Sequence, residues 1–149
     1  MRIASIMTNR VATVEMDDTL RVINAIFCSA GFHHLLVVEN HKLVGIISDR
    51  DLLKATSPFF DTASERPQDV ARWSRRAHQI MTRELITVTP ETRIREAVDL
   101  LLQHDVSCLP VISSTGKIAG IVTWKDLIRA YMGLQGDIDL KCCRCGTIL

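Results

Sequence analysis

The chain has 149 residues, 47% of them hydrophobic, which is enough to bury the core of one domain of common size. Its 18 basic and 17 acidic residues nearly cancel, and a net charge of +1 excludes an overall positive field that would hold nucleic acid or an anionic membrane. The opening MRIASIMTNR lacks the apolar stretch of a signal peptide, and no run approaches the roughly 18 apolar residues of a membrane span. We therefore expect a cytoplasmic protein without membrane association, and we do not expect nucleic acid as a partner.

Two long segments of the chain repeat each other. The stretch IMTNRVATVEMDDTL begins at Ile6 and IMTRELITVTPETRI begins at Ile80, an offset of 80 − 6 = 74 residues. The likeness continues to GIISDRDLL at Gly45 and GIVTWKDLI at Gly120, where the offset is 120 − 45 = 75. The added residue falls where ENHK faces SSTGK, a polar stretch between apolar runs that predicts a hairpin turn.

Each copy predicts the same order of elements. VATVEM and LITVTP alternate like strands, whereas TLRVINAIFCSAG and TRIREAVDLLLQHD carry apolar residues at helical spacing. Two short apolar strands and a final helix follow in each copy. The residues that can cap the predicted helices are Asp18 or Thr19, Ser48, Thr92 and Thr123. We expect an α+β fold of two repeats, each strand-helix-strand-strand-helix, packed through their sheets with pseudo-twofold symmetry.

The repeats divide the chain into four parts. We expect repeat one at 1–55, a polar and basic linker at 56–76, repeat two at 77–133 and a cysteine-containing tail at 134–149. The linker predicts a short helix around residues 69–78. Its aromatic residues Phe59, Phe60 and Trp73 do not interleave with a sustained basic stripe. We therefore predict that they anchor the linker by packing.

Both copies end in one motif: glycine, two apolar residues, serine or threonine, two variable residues and aspartate. We call residues 45–51 the first motif and residues 120–126 the second motif. On these motifs, about residues 3–132 resemble the cystathionine-beta-synthase (CBS) domain family, and more loosely the bacterial acetoin-utilisation CBS proteins. The resemblance implies a Bateman module, a non-enzymatic regulatory homodimer. Clefts between its repeats would bind AMP, ADP, ATP, S-adenosylmethionine or a similar ligand.

The start of the final helix in each copy suits a nucleotide. Ser48 and Thr123 would lie at helix N-termini, where unpaired N–H groups, the helix dipole and a hydroxyl favour a phosphate. Three residues later, Asp51 and Asp126 can accept hydrogen bonds from two ribose hydroxyls. The same spacing is that of a capping box, which also stabilises helices in proteins that bind nothing. Spacing alone leaves both interpretations open.

The two copies differ on the side expected to face a phosphate chain. Copy one has His33, His34 and Arg50 where copy two has serine, cysteine and Lys125. In related sensors a basic residue at the position of His34 contacts phosphate, so the resemblance favours a charged tail at copy one. The alternative for the histidines is a surface or dimer contact.

The copies also differ on the side expected to face adenine. Copy two has Thr87 and Pro110, nearer the family's adenosine wall, whereas copy one has Leu36 where proline is usual. Trp124, inside the second motif, would cover a base or a dimer seam, or simply pack. The expected ligand-binding residues are His34, Ser48, Arg50, Asp51, Thr87, Pro110, Thr123, Lys125 and Asp126.

Three of the five cysteines lie close together in the tail. Cys142 and Cys145 form a Cys-x-x-Cys-Gly unit like half of a zinc ribbon, with Cys143 as a third thiol. A closed zinc site would also need ligands from a partner chain or from another protein. The alternatives are a redox pair and a thiol-bearing tail without metal.

No catalytic set stands out in the sequence. The five histidines are scattered, and neither a nucleophile elbow nor a Walker loop occurs. We therefore expect a ligand sensor and not an enzyme. Two alternatives are a structural dimerisation scaffold with vestigial clefts and a nucleic-acid-associated adaptor with a shared zinc knuckle. The adaptor would use the arginines Arg66, Arg72, Arg75 and Arg76.

Overall fold

The computed structural model describes residues 1–56 and 71–133. A 3-10 turn at Ile3–Ser5 precedes the regular elements. In chain order these are β1 (Thr13–Glu15), α1 (Leu20–Ala30), β2 (His34–Glu39), β3 (Lys42–Ser48), α2 (Asp49–Thr56), α3 (Ala77–Ile80), α4 (Ile94–His104), β4 (Cys108–Ile112), β5 (Ile118–Thr123) and α5 (Trp124–Tyr131). The mixed α+β class is confirmed. Within these two ranges no helix has the length and apolar character needed to cross a membrane.

The chain forms two compact units that are not continuous in sequence. Within the described residues, the first-repeat unit lies in Ala12–Glu84, and the second-repeat unit joins Met1–Val11 to the chain from Leu85 onward. Each IMT segment therefore lies in the unit of the other repeat. The spatial units thus differ at their ends from a division made along the chain.

The first-repeat unit is built on a three-stranded sheet. Strand β1 pairs in parallel with β2, and β2 pairs in antiparallel fashion with β3. Trp73 packs against the core of this unit, as predicted for a linker anchor, whereas Phe59 and Phe60 lie outside the described residues. The fully or nearly buried core residues are Val14, Leu20, Ile23, Phe27, Leu35, Val37, Ile47, Leu52, Ala77 and Met81.

The second-repeat unit has a smaller sheet because of one proline. In the first-repeat unit, the Leu36 N–H donates to the Ala12 carbonyl at 3.1 Å and helps to tie β1 to β2. Pro110 lies at the corresponding place and has no N–H to donate. The predicted strand LITVTP is therefore reduced to an isolated parallel bridge between Val88 and Val111, beside the β4–β5 pair. The core residues are Ile3, Val88, Ala97, Leu101, Leu109, Val111, Val122 and Leu127.

The hairpin turn absorbs the one-residue difference between the copies, as predicted. Glu39 pairs with Lys42, and the two residues between them, Asn40 and His41, have φ values of 50° and 64°. Positive φ at both central positions is the mark of a type I′ turn. In the second hairpin, a longer turn over residues 113–117 uses a glycine at φ 81°.

One expected helix cap and one expected helix need correction. Helix α4 has Arg93 as its N-cap rather than Thr92, because Thr92 Oγ1 instead accepts a hydrogen bond from the Thr89 N–H at 3.1 Å. The helix predicted around residues 69–78 is interrupted. Residues 71–73 are helical and α3 begins at Ala77, but between them the Arg75 carbonyl accepts a hydrogen bond from Leu20.

The IMT segments join the sheets at the two motif glycines. Thr8 exchanges two backbone hydrogen bonds with Ile121, at 2.9 and 3.0 Å, and Thr82 exchanges two with Ile46, at 2.9 and 3.1 Å. A Cβ on Gly120 would lie 2.6 Å from the Thr8 carbonyl oxygen. Glycine is therefore required where each segment approaches the strand of a motif.

We predict that Gly120→Ala destabilises the protein by about 2–3 kcal/mol, because its methyl group would meet a backbone carbonyl that cannot move aside. In Gly45→Ala the methyl group would meet the flexible Met81 side chain, at 2.5 Å from Sδ, so a loss of about 1 kcal/mol is expected. Urea unfolding followed by circular dichroism measures both. Equal losses in the two variants would contradict this explanation of the glycines.

Candidate functional site

The first motif forms a capping box at the start of α2. The Ser48 N–H donates to Asp51 Oδ2 at 2.9 Å, and the Asp51 N–H donates to Ser48 Oγ at 3.2 Å. Both side chains are only partly buried. The pair therefore closes the helix end and still presents polar atoms to solvent.

The second motif holds its carboxylate more tightly. Asp126 Oδ2 accepts hydrogen bonds from the Thr123 N–H at 2.9 Å and from Thr123 Oγ1 at 3.1 Å. Its Oδ1 accepts a hydrogen bond from Thr8 Oγ1, in the exchanged IMT segment, at 3.4 Å. Asp126 is 7% exposed, so most of its capacity as an acceptor is used inside the unit.

A strand residue lies opposite the hydroxyl of each motif. His34, at the start of β2, pairs with Ser48 at the end of β3, and Cys108, at the start of β4, pairs with Thr123 at the end of β5. His34 is half-buried and Cys108 is buried. The residue paired with the first hydroxyl thus carries a polar imidazole, and the residue paired with the second carries a small apolar thiol.

The residues expected to face adenine also lie near the second motif. Pro110 pairs with Ile121, and its carbonyl accepts a hydrogen bond from the Val88 N–H at 3.0 Å, next to Thr87. Thr87 is exposed and Pro110 is buried. Thr13 is the counterpart of Thr87 in copy one and pairs with Leu36. The 74-residue offset identifies Thr13, which sequence reasoning missed.

A contact that sequence reasoning missed lies beside the first motif. His33 Nδ1 is 2.9 Å from Asp49 Oδ2, and the Asp49 N–H donates to the His33 carbonyl at 3.0 Å. The imidazole thereby joins the strand end to the first turn of α2. No motif spacing indicates this contact, because the two residues lie on different elements.

The nine predicted ligand-binding residues fall into two groups, each within one unit. Arg50 and Lys125 are exposed on the first turns of α2 and α5. The first-repeat unit holds His34, Ser48, Arg50 and Asp51, and the second-repeat unit holds Thr87, Pro110, Thr123, Lys125 and Asp126. Across the ranges that the structure describes, no cluster of three metal-binding side chains occurs. Cys142 and Cys145 lie outside these ranges, so zinc binding there stays a prediction.

The repeated motifs and the two α+β units together match one known family. A family model for the CBS domain matches residues 3–57 and again residues 77–133. The chain belongs to the CBS-domain family. A 17.7 kDa protein of Acidianus ambivalens is 30% identical to this CBS-domain chain over 135 residues, which are 90% of this chain and 75% of that protein. The family expected from the motifs is confirmed.

Solved CBS-domain structures share the fold. The CBS domain pair of protein MJ0100, in complex with 5′-methylthioadenosine and S-adenosyl-L-methionine, has a TM-score of 0.73 at 24% identity and covers 89% of this chain and 97% of that one. AcuB from Vibrio cholerae, assigned to acetoin utilization, has a TM-score of 0.72 at 24% identity and covers 90% and 92%. These likenesses establish the CBS-pair fold.

We predict that Asp126→Ala destabilises the protein more than Asp51→Ala. Removing the buried Asp126 carboxylate leaves the Thr123 N–H and the Thr8 hydroxyl without their acceptor, at a cost of about 2–3 kcal/mol. Loss of the half-buried Asp51 carboxylate removes a cap that water can partly replace, at about 1 kcal/mol. Chemical unfolding of both variants measures the difference, and an equal or inverted order would contradict it.

Proposed function

We propose that this CBS-domain protein is a cytoplasmic, non-enzymatic regulatory module that senses an adenine nucleotide or an adenosyl compound at its two motifs. One observation carries the proposal: each motif places a hydroxyl and a carboxylate together at the first turn of a helix. The carboxylate can accept hydrogen bonds from ribose hydroxyls, and the N–H groups at the helix start can bind a 5′ substituent. The MJ0100 domain pair, solved with two adenosyl compounds, supports the same ligand class.

The capping role and the binding role use different parts of the same carboxylate. In the first motif the capping bond from the Ser48 N–H reaches Oδ2 of Asp51, and a carboxylate has further lone pairs for ribose hydroxyls. In the second motif a ribose would compete with Thr8 for Oδ1 of Asp126. Ligand binding there would therefore disturb the exchanged IMT segment, which is a route from ligand to structural response.

Binding is tested by a thermal-shift panel of AMP, ADP, ATP, S-adenosylmethionine and 5′-methylthioadenosine, followed by calorimetry. A ligand present at about 100 times its Kd stabilises the native state by about 2.7 kcal/mol, which raises Tm by about 5–10 °C in a chain of this size. No shift at millimolar concentrations of all five compounds would contradict the sensor proposal and favour a structural scaffold.

The assignment of the site is tested by Asp51→Asn and Asp126→Asn, which keep the side-chain volume. Each substitution removes charge-assisted acceptors for ribose, so each is expected to weaken binding at its own motif by about ten- to a hundredfold. Glu39→Gln changes charge equally at the exposed end of β2 and should leave both affinities unchanged. Unaltered binding in both aspartate variants would remove the motifs from the site.

A homodimer is part of the proposal, and exposed apolar side chains support it. Leu102 on α4 is 64% exposed, and Ile128 and Tyr131 on α5 are 57% and 91% exposed. Burial of such side chains between chains is favourable. We expect Ile128→Glu to weaken the dimer at least about tenfold in analytical ultracentrifugation, whereas Lys117→Glu in the exposed turn has no effect. A wild-type chain that sediments as a monomer would contradict this.

A further inference from the structure

The His33–Asp49 contact places a second carboxylate beside the first motif. Asp49 Oδ2 lies 2.9 Å from His33 Nδ1, and Asp49 and Asp51 share the first turn of α2. The side chains of His33 and Asp49 are 35% and 34% exposed, so a molecule in solvent can approach this carboxylate. The Asp49 carboxylate can therefore interact with a ligand that binds at the start of α2.

The histidine orients this carboxylate through one ring nitrogen. His33 Nε2 is buried and has no hydrogen-bond partner within the described part of the chain. Of the two ring nitrogens, Nδ1 is the one that contacts Asp49 Oδ2. The imidazole thus fixes the direction of the Asp49 side chain at the start of α2.

The second motif has no such carboxylate. Trp124 occupies the position of Asp49 and packs against the core of the second-repeat unit. Counting charges over the last four motif residues gives −2 + 1 = −1 for Ser-Asp-Arg-Asp and −1 + 1 = 0 for Thr-Trp-Lys-Asp. The expectation that copy one favours a phosphate counted His33, His34 and Arg50 but omitted Asp49.

The extra charge lies where the 5′ substituent of a ligand would be. With ribose at the aspartate that ends each motif, a 5′ substituent directed toward the start of the helix would meet its positive dipole end, which attracts an anion. At the first motif that end is already compensated by the Asp49 carboxylate. A phosphate there meets a like charge, whereas a sulfonium or an uncharged thioether does not.

We propose that Asp49 makes the first motif select an adenosyl compound whose 5′ substituent is uncharged or cationic, and that the second motif takes the anionic adenine nucleotide. The inference rests on the proposed sensor function and assigns a ligand class to each of its sites. The single chain would then report two different metabolite classes.

The test uses calorimetry on the full chain with AMP and 5′-methylthioadenosine. Asp126→Asn leaves the first motif intact, and this variant is expected to bind methylthioadenosine at least about tenfold more tightly than AMP. Asp51→Asn leaves the second motif intact and is expected to show the opposite preference. Adding Asp49→Asn to the Asp126→Asn chain should raise AMP affinity about tenfold and change methylthioadenosine affinity less than about twofold.

Two further variants separate charge from shape. His33→Gln removes the imidazole but keeps the Asp49 charge, so the preference for methylthioadenosine should persist. Trp124→Asp, in the Asp51→Asn chain, should lower AMP affinity about tenfold, and it tests the idea at the second motif without a change at Asp49. Glu39→Gln is the matched charge control.

The outcomes distinguish this inference from the function on which it rests. Equal or tighter binding of AMP at the first motif, or AMP affinities that do not respond to Asp49→Asn and Trp124→Asp, would overturn the inference and leave the sensor intact. Absence of binding by either compound to the wild-type chain would overturn the sensor function itself, and the inference with it.

Discussion

Four backbone hydrogen bonds, two at Thr8 and two at Thr82, hold the IMT segments against the strands that lead into the motifs. They require glycine at positions 45 and 120, where any side chain would meet the approaching segment. The strand next to each glycine runs directly into the serine or threonine that begins a helix. The position of each candidate ligand site therefore follows from a backbone contact that itself has no role in ligand chemistry.

The atoms that close each helix are also those of its proposed binding site, and the two copies hold these atoms differently. At the second motif the aspartate is buried and shared with Thr8, so the proposed ligand would compete with Thr8 for it. At the first motif the aspartate is more open, and a neighbouring carboxylate adds a charge that the second motif lacks. Duplication thus produced two related helix starts with different chemistry.

The repeated sequence was sufficient to predict the α+β class, the CBS family, the hairpin turn at Asn40 and the caps at Ser48 and Thr123. These features depend on local patterns that recur at a constant offset. The reduction of the first strand of copy two was missed, although Pro110, the residue that causes it, is visible in the sequence. The His33–Asp49 and Thr8–Asp126 contacts join residues from separate elements, so no spacing along one segment indicates them. The exchange of the IMT segments was missed for the same reason.

The exchanged segments make the two repeats indivisible as folding units. A fragment that stopped after α2 would keep Ile46 at the edge of its sheet but lose Thr82, which satisfies that edge. An open strand edge is a template for pairing with another molecule. Half-length fragments of this chain would then tend to associate by pairing their open edges, and mixing the two halves would supply each with the IMT segment that it lacks.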